Sequence, residues 1–232
     1  MVANELIAPV PPPSDPGSWR FYDPDYKLPP VLDAALDVFV QFGYHGTTVR
    51  TIAAQAHLSV PGLYHHYKSK QDMLSLLLDL SGEEVIRRAK AAISDGGKNP
   101  RLRFIRQVQN IVLYVTNRQR LAHLQREMRS LENIPRQKHL QLRDTLEKLM
   151  LEDVISARAL EMFVFDDPFS VTRAVLTLCR GVADWYSPQG AQTPEEIADQ
   201  YVAYALRLVD GAPSPDLASP DQRPSRVAGA PV

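Results

Sequence analysis

Between residues 31 and 211 the chain is written in apolar stripes of helical period, and most of its six prolines there stand where such a stripe begins. Proline fixes φ and lacks a backbone donor, so a helix tolerates it in the first turn and little further in. Residues 29–42 carry Val31, Leu32, Ala35, Leu36, Phe39 and Val40 on one face and stop at Gly43. Short helices are expected at 48–55 and 60–67. Ser69, with Asp72 three residues on, opens a helix reaching about Ile93, which Gly96 and Gly97 break. Pro100 begins the next, whose inward face is Phe104, Ile105, Val108, Ile111, Val112 and Val115. A helix over 119–131 follows, then a long one from Pro135 to Met162 with Leu140, Leu142, Leu146, Leu149, Met150, Val154 and Ile155 inward. Asp166 or Asp167 caps a helix running from Pro168 to Tyr186, and Thr193 with Glu196 opens a last one that Gly211 stops. Nine helices and no convincing strand predict an all-α fold.

The other prolines gather at the ends, eight in residues 1–30 and five in residues 212–232, and both tails read as extended and poorly ordered. Trp19, Phe21, Tyr22 and Tyr26 give the front arm a means of docking on the body. The single cysteine excludes a disulfide scaffold and a cysteine-based zinc site, and it suits a reducing cytosol. No charged-then-apolar export signal opens the sequence, and no run of about 18 apolar residues is present to span a membrane. A cytoplasmic protein without a membrane partner is expected.

Residues 47–70, TTVRTIAAQAHLSVPGLYHHYKSK, carry the chemistry. Two helices of about eight residues joined by a short turn form the helix-turn-helix unit, whose second helix enters the DNA major groove. Ile52, Ala53, Ala56 and Leu58 supply a close helix crossing, Leu63 points back to the core, and Ser59 caps a second helix with Pro61 in its first turn. Gly62 lets backbone approach a phosphate or base edge. No Asp or Glu occurs from Val38 through Gln71, whereas Arg50, Lys68, Lys70 and four histidines do. A surface pressed against phosphates needs such an acid-free window. Thr47, Thr48, Tyr64 and Tyr67 add neutral donors for phosphate oxygens, which position a protein without reading sequence. An ordinary helical hairpin with its polar residues facing water is the competing reading.

Residues 31–78 resemble the N-terminal domain of the TetR-type transcriptional regulators, through a first helix ending in "FGY", then "GTTVRTIA", "LSVPGLYHHYKSK" and "DMLSLLL". The resemblance implies that Thr48 and Arg50 meet the DNA backbone. It places Ser59, Val60, Pro61, Gly62, Tyr64 and His65 in or near the groove, and Lys70 against a phosphate. His57 departs from the family's usual glycine in the turn; a left-handed backbone there costs histidine a modest strain. The domains then read as an arm (1–27, disordered or loosely docked), a helix-turn-helix domain (28–75), a ligand-binding and dimerisation domain (76–211) and a disordered tail (212–232). The resemblance further implies a homodimer formed by the last two helices, where Val171, Val175, Leu178, Val182, Ile197, Tyr201, Tyr204 and Leu208 supply apolar stripes, on a pseudo-palindromic double-stranded operator. It also implies a small-molecule effector in a pocket among helices four to eight.

Charge distribution bears on that effector. The net charge is −1, yet residues 85–143 hold fourteen basic against three acidic side chains. Arginine presents a planar fork that matches carboxylate or phosphate. Arg101, Phe104, Ile105, Val108, Arg126, Arg129 and Trp185 are the expected ligand residues, suited to an acyl-CoA or another hydrophobic anion; solvated helix faces, or pairing with the acidic C-terminal third, is the competing reading. "DWYSPQG" resembles the branch of the family that handles acyl thioesters. No cofactor and no metal are expected: adjacent His65 and His66 point about 100° apart on a helix and do not converge on one ion. No nucleophile elbow, phosphate loop or HExxH motif is present, so an enzyme is not expected. A repressor released from DNA by a ligand is the reading; the alternative is a helical dimeric scaffold that binds no specific DNA.

Overall fold

The computed structural model describes residues 17–23 and 25–211. The remainder of the arm and the tail expected at 212–232 lie outside the described residues. Within them the protein is all-α: α1 (Pro30–Gly46), α2 (Val49–Gln55), α3 (Val60–His66), α4 (Lys70–Asp95), α5 (Pro100–Asn117), α6 (Gln119–Leu124), α7 (Asn133–Ala159), α8 (Pro168–Arg180) and α9 (Pro194–Val209), with three short 3-10 turns.

The helix starts follow from caps encoded locally. Thr48 Oγ1 accepts the Thr51 amide at 3.1 Å, Ser59 Oγ the Gly62 amide at 3.1 Å and Ser69 Oγ the Asp72 amide at 3.0 Å. Asp167 accepts the Ser170 amide at 2.8 Å, and Thr193 with Glu196 forms a reciprocal box. Proline occupies the first turn of α1, α3, α5, α8 and α9. At Gly43 the backbone of α1 leaves the helix with φ 69°, a conformation that glycine adopts without strain.

Three expected helices end elsewhere. Residues 119–131 divide into α6 and a 3-10 turn over Gln125–Ser130; α7 begins at Asn133 and stops at Ala159, short of Met162; and α8 gives way to a 3-10 turn at Gly181–Asp184. Along α7, Leu140 and Ile155 are exposed rather than inward.

Apolar burial divides into two clusters. The head joins Leu32, Leu36 and Phe39 of α1, Ile52, Leu63 and Tyr67 of the short helices, Met73, Leu74, Leu77 and Leu78 of α4, and Leu121 and Leu124 of α6. The body joins Ile86 and Ala89 of α4 with Phe104, Val108 and Val112 of α5, Met150 and Val154 of α7, and the inner faces of α8 and α9. The 26 residues of α4 run about 39 Å and enter both.

The aromatic arm is docked. Trp19 is fully buried and its Nε1 donates to Asp95 Oδ2 at 3.2 Å. Arg88 donates to the carbonyls of Trp19 and Phe21 at 2.8 and 3.0 Å and lies 3.8 Å above the Tyr22 ring. Buried Glu84 accepts from Arg88 at 2.9 Å and pairs with Arg118 at 3.4 Å, so one carboxylate balances the two guanidinium groups gripping the arm. Burial raises the Tyr22 hydroxyl pKa above its ordinary value and keeps the ring neutral between those cations.

Candidate nucleic-acid interface and effector cavity

Ile52 and Ala53 of α2 and Leu63 of α3 turn inward and fix the crossing of the two helices. The turn between them is a Schellman closure: Leu58 N–H donates to Ala53 O at 2.8 Å and His57 N–H to Ala54 O at 3.1 Å. That closure holds His57 left-handed at φ 56°. Gly62 is fitted to its cap, since a Cβ there would meet Ser59 Oγ at 3.2 Å. Outward stand Thr48, Arg50, Thr51, Gln55, Ser59, Pro61, Tyr64, His65, His66 and Lys68, all exposed, with Val60 and Gly62 half-buried at the edge. This face contains no carboxylate and presents two cations, hydroxyls, imidazoles and a half-exposed tyrosine ring, the groups that bind phosphate oxygens and base edges.

Three residues expected to touch phosphate are placed differently. Thr47 is buried, its hydroxyl donating to Gly43 O at 2.7 Å. Lys70 Nζ donates to Tyr44 O and Thr47 O, both at 2.7 Å, and sits 4.0 Å above the Tyr44 ring. Burial lowers its pKa. The last carbonyls of a helix lack intrahelical partners and attract cations, so Lys70 closes the C-terminal end of α1. Tyr67 is buried in the head core. These three brace the outward face rather than belonging to it.

Where α4, α5, α6, α7 and α8 converge lies a cavity of about 440 Å³. Val85, Ile111, Val115, Ala122, Leu142 and Leu146 form its apolar wall. A polar line crosses it: Tyr114 OH to Ser81 Oγ at 2.7 Å, Gln125 Nε2 to Ser81 Oγ at 3.0 Å, and His139 Nε2 to Gln125 Oε1 at 2.8 Å. Arg126, Arg143, Arg180 and Asp184 bring charge.

Of the expected ligand residues only Arg126 lines this cavity, in contact with Asp184. Phe104 and Val108 are fully buried core, Phe104 packing edge-to-face on Phe163 at 5.1 Å, and Ile105 is packed against the same cluster. The stripe of α5 is continuous, but its first turns fill the body while Ile111, Tyr114 and Val115 face the cavity. Arg101 is bidentate to Asp210 at 2.6 and 2.8 Å, Arg129 is exposed, and Trp185 stacks on Tyr201 with its Nε1 donating to Tyr201 OH at 3.2 Å. The basic stretch is largely matched: Arg103 pairs with Asp153 at 2.6 Å, Arg106 with Asp95 at 3.4 Å, Arg120 with Asp33 at 3.0 Å and Lys138 with Asp79 at 2.7 Å. Ser81, Tyr114, Gln125, His139, Arg143 and Arg180 were missed, because they come from five separate segments and form no local motif.

The stripes of α8 and α9 also divide. Val175, Val182, Ile197 and Tyr201 are buried within the protomer, Val171 and Leu178 are half-buried, and Tyr204 and Leu208 are exposed alongside Phe169 and Trp185. Among the described residues no helix is long and apolar enough to cross a membrane, and no group of His, Cys, Asp and Glu is placed to hold a metal ion.

An acid-free pair of short helices on a head joined by one long helix to an all-helical body defines a helix-turn-helix regulator. Residues 31–77 match the family described as "Bacterial regulatory proteins, tetR family", and residues 97–209 match "Tetracyclin repressor-like, C-terminal domain". The chain belongs to the TetR family of transcriptional regulators and is not an enzyme. It is 26% identical over 186 residues to the HTH-type transcriptional repressor KstR2 of Mycobacterium tuberculosis, covering 76% of this chain and 89% of that one. The solved structure of the ketosteroid transcriptional regulator KstR2 from the same species superposes with a TM-score of 0.72 at 25% identity, covering 78% of this chain and 94% of that one. AibR in complex with isovaleryl coenzyme A and operator DNA shares the fold, with a TM-score of 0.68 at 22% identity over 76% of this chain and 96% of that one.

Proposed function

We propose that this chain is a homodimeric, cytoplasmic repressor that holds a pseudo-palindromic operator through α3 of each protomer and releases it when an amphipathic anion enters the body. The observation that carries the reading is the exposed, acid-free face of α2 and α3 on caps that fix its geometry. In this reading Thr48 and Arg50 meet the sugar–phosphate backbone, and Ser59, Val60, Pro61, Gly62, Tyr64 and His65 lie in or against the major groove. Thr47, Tyr67 and Lys70 hold the helices at the right tilt. The exposed Phe169, Tyr204 and Leu208 form the apolar centre of a two-fold interface, with Val171 and Leu178 at its edge.

The effector belongs in the cavity among α4–α8, with an acyl-CoA as the leading class. Named relatives support this: KstR2 is a repressor, and AibR is known in complex with a coenzyme A thioester and its operator. Coupling runs through α6, which touches both the head and the cavity. Leu121 and Leu124 are buried in the head, and Arg120 pairs with Asp33 of α1, while Ala122, Gln125 and Arg126 in and after α6 line the cavity. A ligand that displaces this segment shifts the head, and the shift is limited to its differential affinity for the two arrangements.

Duplexes selected from a random pool by the full chain supply the test, with binding read by fluorescence anisotropy at fixed salt. Arg50→Ala together with Tyr64→Ala is expected to weaken binding at least about 30-fold, from a phosphate contact and a groove contact each worth about 1–3 kcal/mol. Light scattering checks that the dimer persists. Unchanged affinity, or failure to select any duplex, favours the scaffold reading.

A further inference from the structure

The cations of the basic stretch and its flanks mostly have carboxylate partners; two arginines at the cavity do not. Arg180, at the C-terminal turn of α8, is half-buried and makes no hydrogen bond or ion pair among the described residues. Arg143, on α7 at the cavity's exposed edge, has only the sulfur of Met128 at 3.7 Å. The neighbouring carboxylates are taken: Glu147 by Arg173 at 3.0 Å, Asp184 by Arg126, and Asp79 by Lys138 at 2.7 Å. Burial first, and then the neighbouring Arg143, lowers the Arg180 pKa. His139 beside them is held below its ordinary value, chiefly by burial against the opposing pull of Asp79, so it adds no positive charge near neutrality. A half-buried guanidinium without a carboxylate partner, as at Arg180, is costly to the empty protein and favourable once an anion arrives, and the solvated Arg143 stands free at the edge to join it.

We propose that Arg143 and Arg180 together hold the anionic group of the effector, whose apolar body lies against Ile111, Val115, Leu142 and Leu146. The inference rests on the cavity being the effector site and names the chemistry that site selects: one compact anion, carboxylate or phosphate, joined to an apolar chain. It moves the anion-binding role from Arg101 and Arg129 to residues that no contiguous motif marks. A free acid offers its carboxylate to this pair and a coenzyme A thioester offers a phosphate, so the two sources share one recognition chemistry.

Isothermal titration of the full chain with decanoate, decanoyl-CoA and decan-1-ol separates the possibilities. Wild-type protein is expected to bind at least one of the two anions at least about tenfold more tightly than the alcohol, as one charge-assisted hydrogen bond of about 1.5–3 kcal/mol requires. Arg180→Gln and Arg143→Gln are each expected to weaken the bound anion by about 10-fold or more while leaving decan-1-ol unchanged. Which anion responds identifies the source. Far-UV circular dichroism and melting temperature report folding, and if Arg180→Gln does not fold, the exposed Arg143→Gln carries the comparison. Equal affinity for alcohol and anions, wild-type affinity in the variants, or binding of neither anion overturns the proposal. An acyl-CoA that releases DNA from wild-type and variant protein alike also overturns the anion site while leaving the repressor reading intact. Failure to select a duplex falls on the repressor reading alone, because these titrations contain no DNA.

Discussion

Replacing His57 tests the turn that sets the angle between the two DNA-facing helices. Its φ of 56° puts an L-residue in the left-handed region, closed by the Leu58-to-Ala53 and His57-to-Ala54 hydrogen bonds. The strain is about 1 kcal/mol, the low end for an L-residue, because histidine tolerates this region better than most. His57→Gly removes it, while the freer unfolded chain returns about 0.4–1 kcal/mol, so the net change is a gain of about 0.5 kcal/mol or less. His57→Val keeps the same backbone with a β-branched side chain and loses about 1–2 kcal/mol. The two variants are therefore separated by about 2 kcal/mol, a shift of about 1 M in the urea midpoint for a slope of about 2 kcal/mol/M. Equilibrium urea unfolding followed by circular dichroism, at one fixed protein concentration because a dimer's midpoint depends on it, reads the difference directly. Coincident midpoints for glycine and valine would refute the claim that the left-handed residue governs this turn.

Arg88→Ala leaves Glu84 with only the longer Arg118 contact in a buried site and frees the arm; a loss of about 3–5 kcal/mol is expected, with a smaller loss for Arg88→Met, read as chemical unfolding midpoints. Burial pushes the Cys179 thiol up to about 12, so the native protein is expected not to react with Ellman's reagent at pH 8, and a stoichiometric reaction is expected in urea; rapid native labelling would contradict the burial. His139 has its pKa lowered by burial, so as pH falls through about 6.5 the unfolded chain takes up a proton that the folded chain resists. Stability then declines on the acid side of that value, and His139→Gln is expected to flatten that limb of a melting-temperature profile measured from pH 8 to pH 5.

The sequence exposed what is local and hid what is long-range. Ser59 before Pro61, Asp167 before Pro168 and Thr193 with Glu196 close their caps over two or three residues, so a reader along the chain finds the helix starts. The acid-free face was legible for the same reason, since its residues are neighbours in order as well as in space. The bracing role of Lys70 was not legible because its partners, Tyr44 O and Thr47 O, lie 26 and 23 residues back and only folding shows that the end of α1 needs a cation. The arginine pairings were hidden likewise: Arg101 meets Asp210 across 109 residues and Arg120 meets Asp33 across 87. Leu121, Leu124, Met128 and Leu131 are spaced three, four and three apart, the pattern of an α-helix, so nothing in their order exposes the 3-10 turn at Gln125. In α8 and α9 the stripes announced burial without saying against what, and Val175, Val182, Ile197 and Tyr201 went to the protomer's own core.

Hydroxyl-radical footprinting of the full chain on a duplex it selects tests the central claim most directly. Two equivalent protected segments, with centres about one helical turn or slightly more apart, are expected from a symmetric pair of α3 helices in successive major grooves, and both are expected to vanish together in Arg50→Ala with Tyr64→Ala. A single unpaired segment, or protection that survives that double substitution, would contradict it.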